Sequence, residues 1–133
     1  MLKYLWSTKS YSTNVGLLLL RIVLGTLMMR HGWDKLMNYS DADKFPDPLG
    51  VTGPVSAMLT IFAELICSGF LVVGLFSRVV LIPLIFTMLV VIFIIAAGTD
   101  LIEREHAILF LMPYVSLLLT GPGHYSMDGL LKR

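Results

Sequence analysis

Gly16-Leu-Leu-Leu-Leu-Arg-Ile-Val-Leu-Gly-Thr-Leu-Met-Met-Arg-His-Gly-Trp-Asp-Lys-Leu36 reads as a membrane span with a charge inside its apolar run. A spanning helix needs roughly 20 mostly apolar residues, and this stretch supplies them. Arg21 is the anomaly. An arginine near the bilayer interior costs between ~2.5 and ~17 kcal/mol, so such a residue normally faces other helices and finds a partner there.

The rest of the chain is of the same kind. Its 133 residues are 56% hydrophobic and 14% charged, and the mean hydropathy is +0.82. That balance belongs to a polytopic membrane protein, and this length predicts one domain over residues 1–133. A net charge of +1 without a basic stripe gives no reason to expect nucleic acid. The single Cys67 excludes dithiol chemistry within one chain.

Outward from the opening stretch, four spans are expected, at about 14–36, 54–75, 78–98 and 101–120, giving an all-α, integral membrane four-helix bundle. Tyr4, Trp6 and Tyr11 among Lys3 and Lys9 form an interfacial anchor before the first span. Residues 37–53 contain two prolines, three aspartates and two glycines, so they form the long loop. Thr52 or Gly53 caps the second helix, with Pro54 in its first turn. Phe76-Ser-Arg-Val makes the second and third spans a hairpin. Asp100 with Glu103 forms a capping box for the fourth, and Gly121-Pro-Gly123 stops it. Lys3, Lys9, Arg78, Lys132 and Arg133 on the side of the termini outnumber Lys35, Lys44 and Arg104 on the other. By the positive-inside rule both termini are expected in the cytoplasm.

Helical phase then sorts the intramembrane charges. At about 100° per residue, Gly25, Met28, Gly32 and Lys35 fall within roughly 40° of Arg21, while Arg30 lies opposite. Small residues mark packing faces in membranes, so Arg21 faces the bundle and Arg30 snorkels outward. Glu64 lies about 15 Å into the second span and shares its face with Ala57, Thr60, Cys67, Ser68 and Leu71. An Arg21–Glu64 pair is therefore expected, either as a structural clasp that sets helix register or as a working site in which Glu64 exchanges protons. His31 and Lys35 can meet Glu105 and His106 near the outer end, most simply as an interfacial polar network. Two histidines at similar depth are thin support for haem, and metal binding is no better supported. Arg78 and Asp128 are expected to close the cytoplasmic end through a pair or a capping contact.

Several of these pieces together resemble the DoxX family of small four-helix membrane proteins. They are Arg21-Ile-Val-Leu-Gly25 followed by His31-Gly32-x-x-Lys35-Leu36, then Phe45-Pro-Asp-Pro-Leu-Gly50, Glu64, Gly74-Leu-Phe-Ser-Arg78, and Gly121-Pro-Gly123-x-x-Ser126-x-Asp128. The likeness covers about residues 15–129. It implies a bacterial cytoplasmic (inner) membrane protein and, from the family's association with quinol oxidase and thiosulfate:quinone oxidoreductase, a quinone-interacting subunit of a membrane oxidoreductase complex.

On that reading His31 and Glu64 are the proton-relay or quinone-contact residues, with Arg21, Lys35, Glu105 and His106 as further ligand-binding candidates. No tightly bound cofactor and no metal is expected, and no redox-cofactor motif is visible, so electrons would come from a partner protein. Membrane lipid and other copies of the chain are the remaining expected partners. The alternative is a non-catalytic scaffold or assembly factor that docks a partner through loop 37–53. A small-solute or proton carrier is a third reading, disfavoured by the lack of broken-helix repeats.

Overall fold

A computed structural model describes residues 2–7, 12–44, 47, 49–95 and 101–131. The expected Asp100 half of the capping box and the far end of the third span, at 96–98, lie outside the described residues, as do Tyr11, Lys9, Lys132 and Arg133. Helices and turns account for the regular structure among the described residues, with no strand.

Among the described residues, four long helices carry the architecture. Helix α1 spans Thr13–Met37, capped by the Ser12 hydroxyl, which accepts from the Val15 N–H at 3.3 Å. Short 3₁₀ turns follow over Tyr39–Lys44. Helix α2 spans Gly53–Val73. Its first turn holds Pro54, and the Thr52 hydroxyl accepts from Val55 N–H at 3.3 Å. The Asp47 carboxylate accepts from Val51 N–H at 2.9 Å and Thr52 N–H at 2.7 Å, which holds the chain as it enters α2. Helix α3 spans Ser77–Ile95 and α4 spans Leu101–Thr120. Each has an internal proline, Pro83 and Pro113.

Helices α1, α2 and α3 are long and apolar enough to cross a membrane. The chain is an all-α membrane helical protein. α1 packs on α2, α2 on α3, α3 on α4, and α4 returns to α1. Inside the ring lie Met28, Leu71, Leu81, Leu84 and Leu117, each nearly or fully buried. Outside it Leu19, Val23, Phe62, Phe86, Phe93 and Leu109 are exposed. In water such a surface would drive aggregation; in a bilayer it is the face that meets lipid.

α2 is not α-helical throughout. Over Phe62–Cys67 it widens into a π-helical turn, and α3 does the same over Val91–Ile95. The inward face stays continuous through this turn, since Ala57, Glu64, Cys67, Ser68 and Leu71 are all buried.

The end of the bundle where Ser12 and Gly121 lie, here the tail end, is closed by the chain's last segment. The Asp128 carboxylate accepts from Phe76 N–H and Ser77 N–H, both at 2.9 Å, and so caps α3. This is the capping contact that the sequence offered as one of two options. Arg78 turns instead to the end of α4, its Nε donating to the Leu118 carbonyl at 3.2 Å. Gly74 ends α2 at φ 76°, and a Cβ there would run into the Arg21 guanidinium and Ser126. Replacing Gly74 by Ala is therefore expected to cost about 1–3 kcal/mol in backbone strain alone. Losing the Asp128 cap in Asp128→Ala should cost about 1 kcal/mol. Thermal unfolding in detergent micelles should show both losses, the larger at Gly74.

Candidate functional site

Arg21 is 0% exposed, and its guanidinium reaches toward the tail end rather than the midplane. Nη1 donates to the carbonyls of Leu71 and Val72 at 3.4 and 3.3 Å, and Nη2 donates to the carbonyl of Tyr125. The expected Arg21–Glu64 pair does not form. The last carbonyls of α2 carry its negative dipole end and can accept from a donor outside the helix, so they draw the cation about two turns away from Glu64. Arg21 is a clasp between α2 and the tail.

Glu64 has a different partner. Lys35 Nζ lies 2.6 Å from both carboxylate oxygens, a two-pronged contact from the other end of α1. The Glu64 side chain is 4% exposed and that of Lys35 is 33% exposed, so the lysine reaches inward from the loop end of the bundle. Two local features allow this. Gly32, one turn before Lys35, lets α1 ride on α2: a Cβ there would sit 2.8 Å from Leu65 N and 3.0 Å from the Glu64 carbonyl carbon. The π turn then presents Glu64 toward the gap between α1 and α3.

The ion pair lines a cavity of about 300 Å³. Its walls are Leu59, Ala63, Pro83, Phe86 and Val90, with Ser56, Thr60 and Thr87 as the other polar side chains. The Thr60 and Thr87 hydroxyls are spent on the carbonyls of Ser56 and Pro83 four residues back, at 2.9 and 2.8 Å. Lys35 and Glu64 are thus the charged groups that the cavity offers. Leu59, Phe62 and Phe86 are also exposed on the outer surface, so the cavity opens sideways, between α2 and α3, onto the lipid-facing side. An apolar slot ending in one ion pair suits a ligand with an oily body and a polar head, and its volume is near the lower limit of roughly 300–1,000 Å³ for small-molecule sites.

Nearer the loop end, half-buried His31 of α1 meets exposed His106 of α4, with Nε2 atoms 3.2 Å apart and rings edge to face at 4.9 Å. Phe110 stacks against His106 at 5.1 Å and Tyr114 against Phe110 at 6.0 Å. Glu105 is exposed on the outer surface, and Lys35 spends its charge on Glu64, so the four-residue outer cluster expected from the sequence reduces to the two histidines. Among the described residues no group of three or more His, Cys, Asp or Glu is placed to hold a metal ion.

Two residues of the site, and one that lies outside it, have no counterpart among the sequence candidates. Pro83 and Phe86 of α3 form the far wall of the cavity, and nothing in their apolar surroundings marks them. Tyr114 is 0% exposed, with its hydroxyl beside the fully buried Ser68 hydroxyl and within electrostatic reach of Glu64. Those two hydroxyls face each other without reaching full hydrogen-bond geometry. A lone tyrosine in an apolar helix was the available signal for it.

The DoxX family model matches residues 16–97, more than half of the chain, and takes in Arg21, His31, Lys35, Glu64 and the whole of the cavity's α2 and α3 walls. The chain belongs to the DoxX family. Neither a curated protein nor a solved structure matches it. In this DoxX protein the matched region thus holds the ion pair and its cavity, while His106 and Tyr114 lie beyond the match.

Removing one member of a buried ion pair leaves the other uncompensated. Lys35→Met should destabilise the bundle by about 3 kcal/mol, the low end of the roughly 3–5 kcal/mol found for fully buried pairs, because the lysine keeps part of its side chain exposed. Lys35→Met with Glu64→Gln should recover most of that loss. A double-mutant cycle by detergent unfolding measures it, and additive losses would show that the pair carries no coupling.

Proposed function

We propose that this DoxX-family protein binds a membrane quinone in the cavity between α2 and α3, as the integral subunit of a membrane oxidoreductase complex. The observation that carries this reading is an apolar slot, open toward lipid, that ends on the Lys35–Glu64 pair. A quinone has an isoprenoid tail for such a slot and ring oxygens for its polar end, and it takes up two electrons and two protons when reduced.

The chain's own residues then divide the work. The Lys35 ammonium holds a ring oxygen by a charge-assisted hydrogen bond. Glu64, held in place by that same ammonium, takes or gives the proton at the head of the slot. Leu59, Phe86 and Val90 bind the apolar part and keep bulk water away. Electrons come from a partner protein of the complex, which carries the redox cofactor. In this reading α4 also crosses the membrane, which is a bacterial inner membrane with both termini on the cytoplasmic side.

Photoaffinity labelling tests the site. In nanodiscs, an azidoquinone should label peptides from α2 and α3, in competition with unlabelled quinone. Glu64→Gln and Lys35→Met should each weaken labelling about tenfold or more, the effect of losing one hydrogen bond to a charged group at about 1.5–3 kcal/mol. Labelling indifferent to both substitutions would make the pair a register clasp. Partner docking through loop 37–53 would then be the better account.

A further inference from the structure

Glu64 lies deep in the bundle, and any proton it exchanges must reach water by some route. Toward the tail end the way is blocked twice. Leu71, Leu81 and Leu84 are 0% exposed and Leu117 is 1% exposed, making an apolar layer across the bundle. Beyond it the fixed positive charge of Arg21 closes α2 against the tail, and a buried guanidinium is an electrostatic barrier to protons. The Ser68 and Tyr114 hydroxyls lie on this side of Glu64 but end among those leucines. The cavity mouth opens onto lipid-facing surface, which conducts no protons.

Toward the loop end the situation is different. His106 is exposed, its Nε2 meets that of His31 at 3.2 Å, and His31 stands one helical turn before Lys35 on α1. His31 is within electrostatic reach of Glu64 on α2, Lys35 and Asp34 on its own helix, and His106 on α4. A neutral imidazole is donor at one ring nitrogen and acceptor at the other, so two of them in contact form a chain that accepts a proton at one end and releases one at the other.

We infer that His106 and His31 conduct protons between the aqueous phase at the loop end of the bundle and Glu64, so that protons exchanged at the cavity enter and leave at that end and not at the tail end. A proton from water binds His106 Nδ1, the proton on His106 Nε2 passes to His31 Nε2, and His31 gives up its Nδ1 proton toward the carboxylate of Glu64. Charge balances at each transfer: the imidazolium moves inward, and the carboxylate is neutralised beside the Lys35 ammonium. The purpose of the path rests on the quinone reading, whereas the path itself is measurable without a quinone.

The experiment follows the Glu64 carboxyl band by infrared spectroscopy after a pH jump, on the full chain in nanodiscs, with Glu64→Gln identifying the band. His106→Ala, at an exposed position that should leave folding intact, is expected to slow the change about tenfold or more. Added imidazole should restore the rate, which a merely structural histidine would not allow. His31→Gln should slow it similarly, and Tyr114→Phe should leave it unchanged.

Unchanged rates in both histidine variants would overturn the inference. So would slowing that imidazole does not relieve, dependence on Tyr114, or a Glu64 band that never titrates. Azidoquinone labelling of the same samples separates the two readings. Labelling retained with a histidine-independent rate removes only the relay, and a histidine-dependent rate without labelling removes only the quinone.

Discussion

A carboxylate enclosed by hydrocarbon must be matched by a cation, and the Lys35–Glu64 contact is how this bundle meets that requirement. Much else follows from it. Lys35 reaches Glu64 only because α1 lies against α2 at Gly32, where even one methyl group would collide with the α2 backbone. Glu64 faces the gap between α1 and α3 in a π-helical turn, which breaks the regular ladder where the charge sits. The irregular backbone, the missing side chain at residue 32 and the buried charge form one arrangement. Each part is costly alone.

The other conspicuous cation solves a separate problem. Arg21 supplies donors to carbonyls at the negative dipole end of α2, and through Tyr125 it ties the tail to the same point. Asp128 does the complementary work at the start of α3. One end of the bundle is thus knotted by backbone-directed charges, and the other carries the side-chain chemistry. The backbone clasp and the buried Lys35–Glu64 charge are thereby kept apart along the bundle.

The membrane class, the capped start of α2 at Thr52 and the inward face containing Arg21, Lys35 and Glu64 were all legible in the sequence, because hydropathy, caps and helical phase are local properties. The pairing among those charges was not. Counting 1.5 Å per residue locates Cα atoms, whereas long side chains such as Arg21 and Lys35 end well away from theirs: Lys35 reaches inward to the Glu64 that Arg21 was expected to meet, and Arg21 reaches outward to the tail-end carbonyls. The π turn at Phe62–Cys67 was equally invisible, since no residue type marks it. His31 and His106 could be placed at similar depth, but only packing of α1 against α4 decides that their rings touch. Tyr114 is not marked by the sequence, because one hydroxyl is a weak signal within the apolar run that follows His106.

The sideways opening between α2 and α3 has a consequence for how binding is measured. A ligand of a slot rimmed by Leu59, Phe62 and Phe86 would come from the bilayer, so occupancy would follow the mole fraction of ligand among lipids and not its concentration in water. Two membranes with identical protein and identical total ligand will fill the site differently if their lipid content differs. Arrival is diffusion in a plane, and dilution with buffer leaves it unaltered. The bilayer is in that sense a reservoir that belongs to the site.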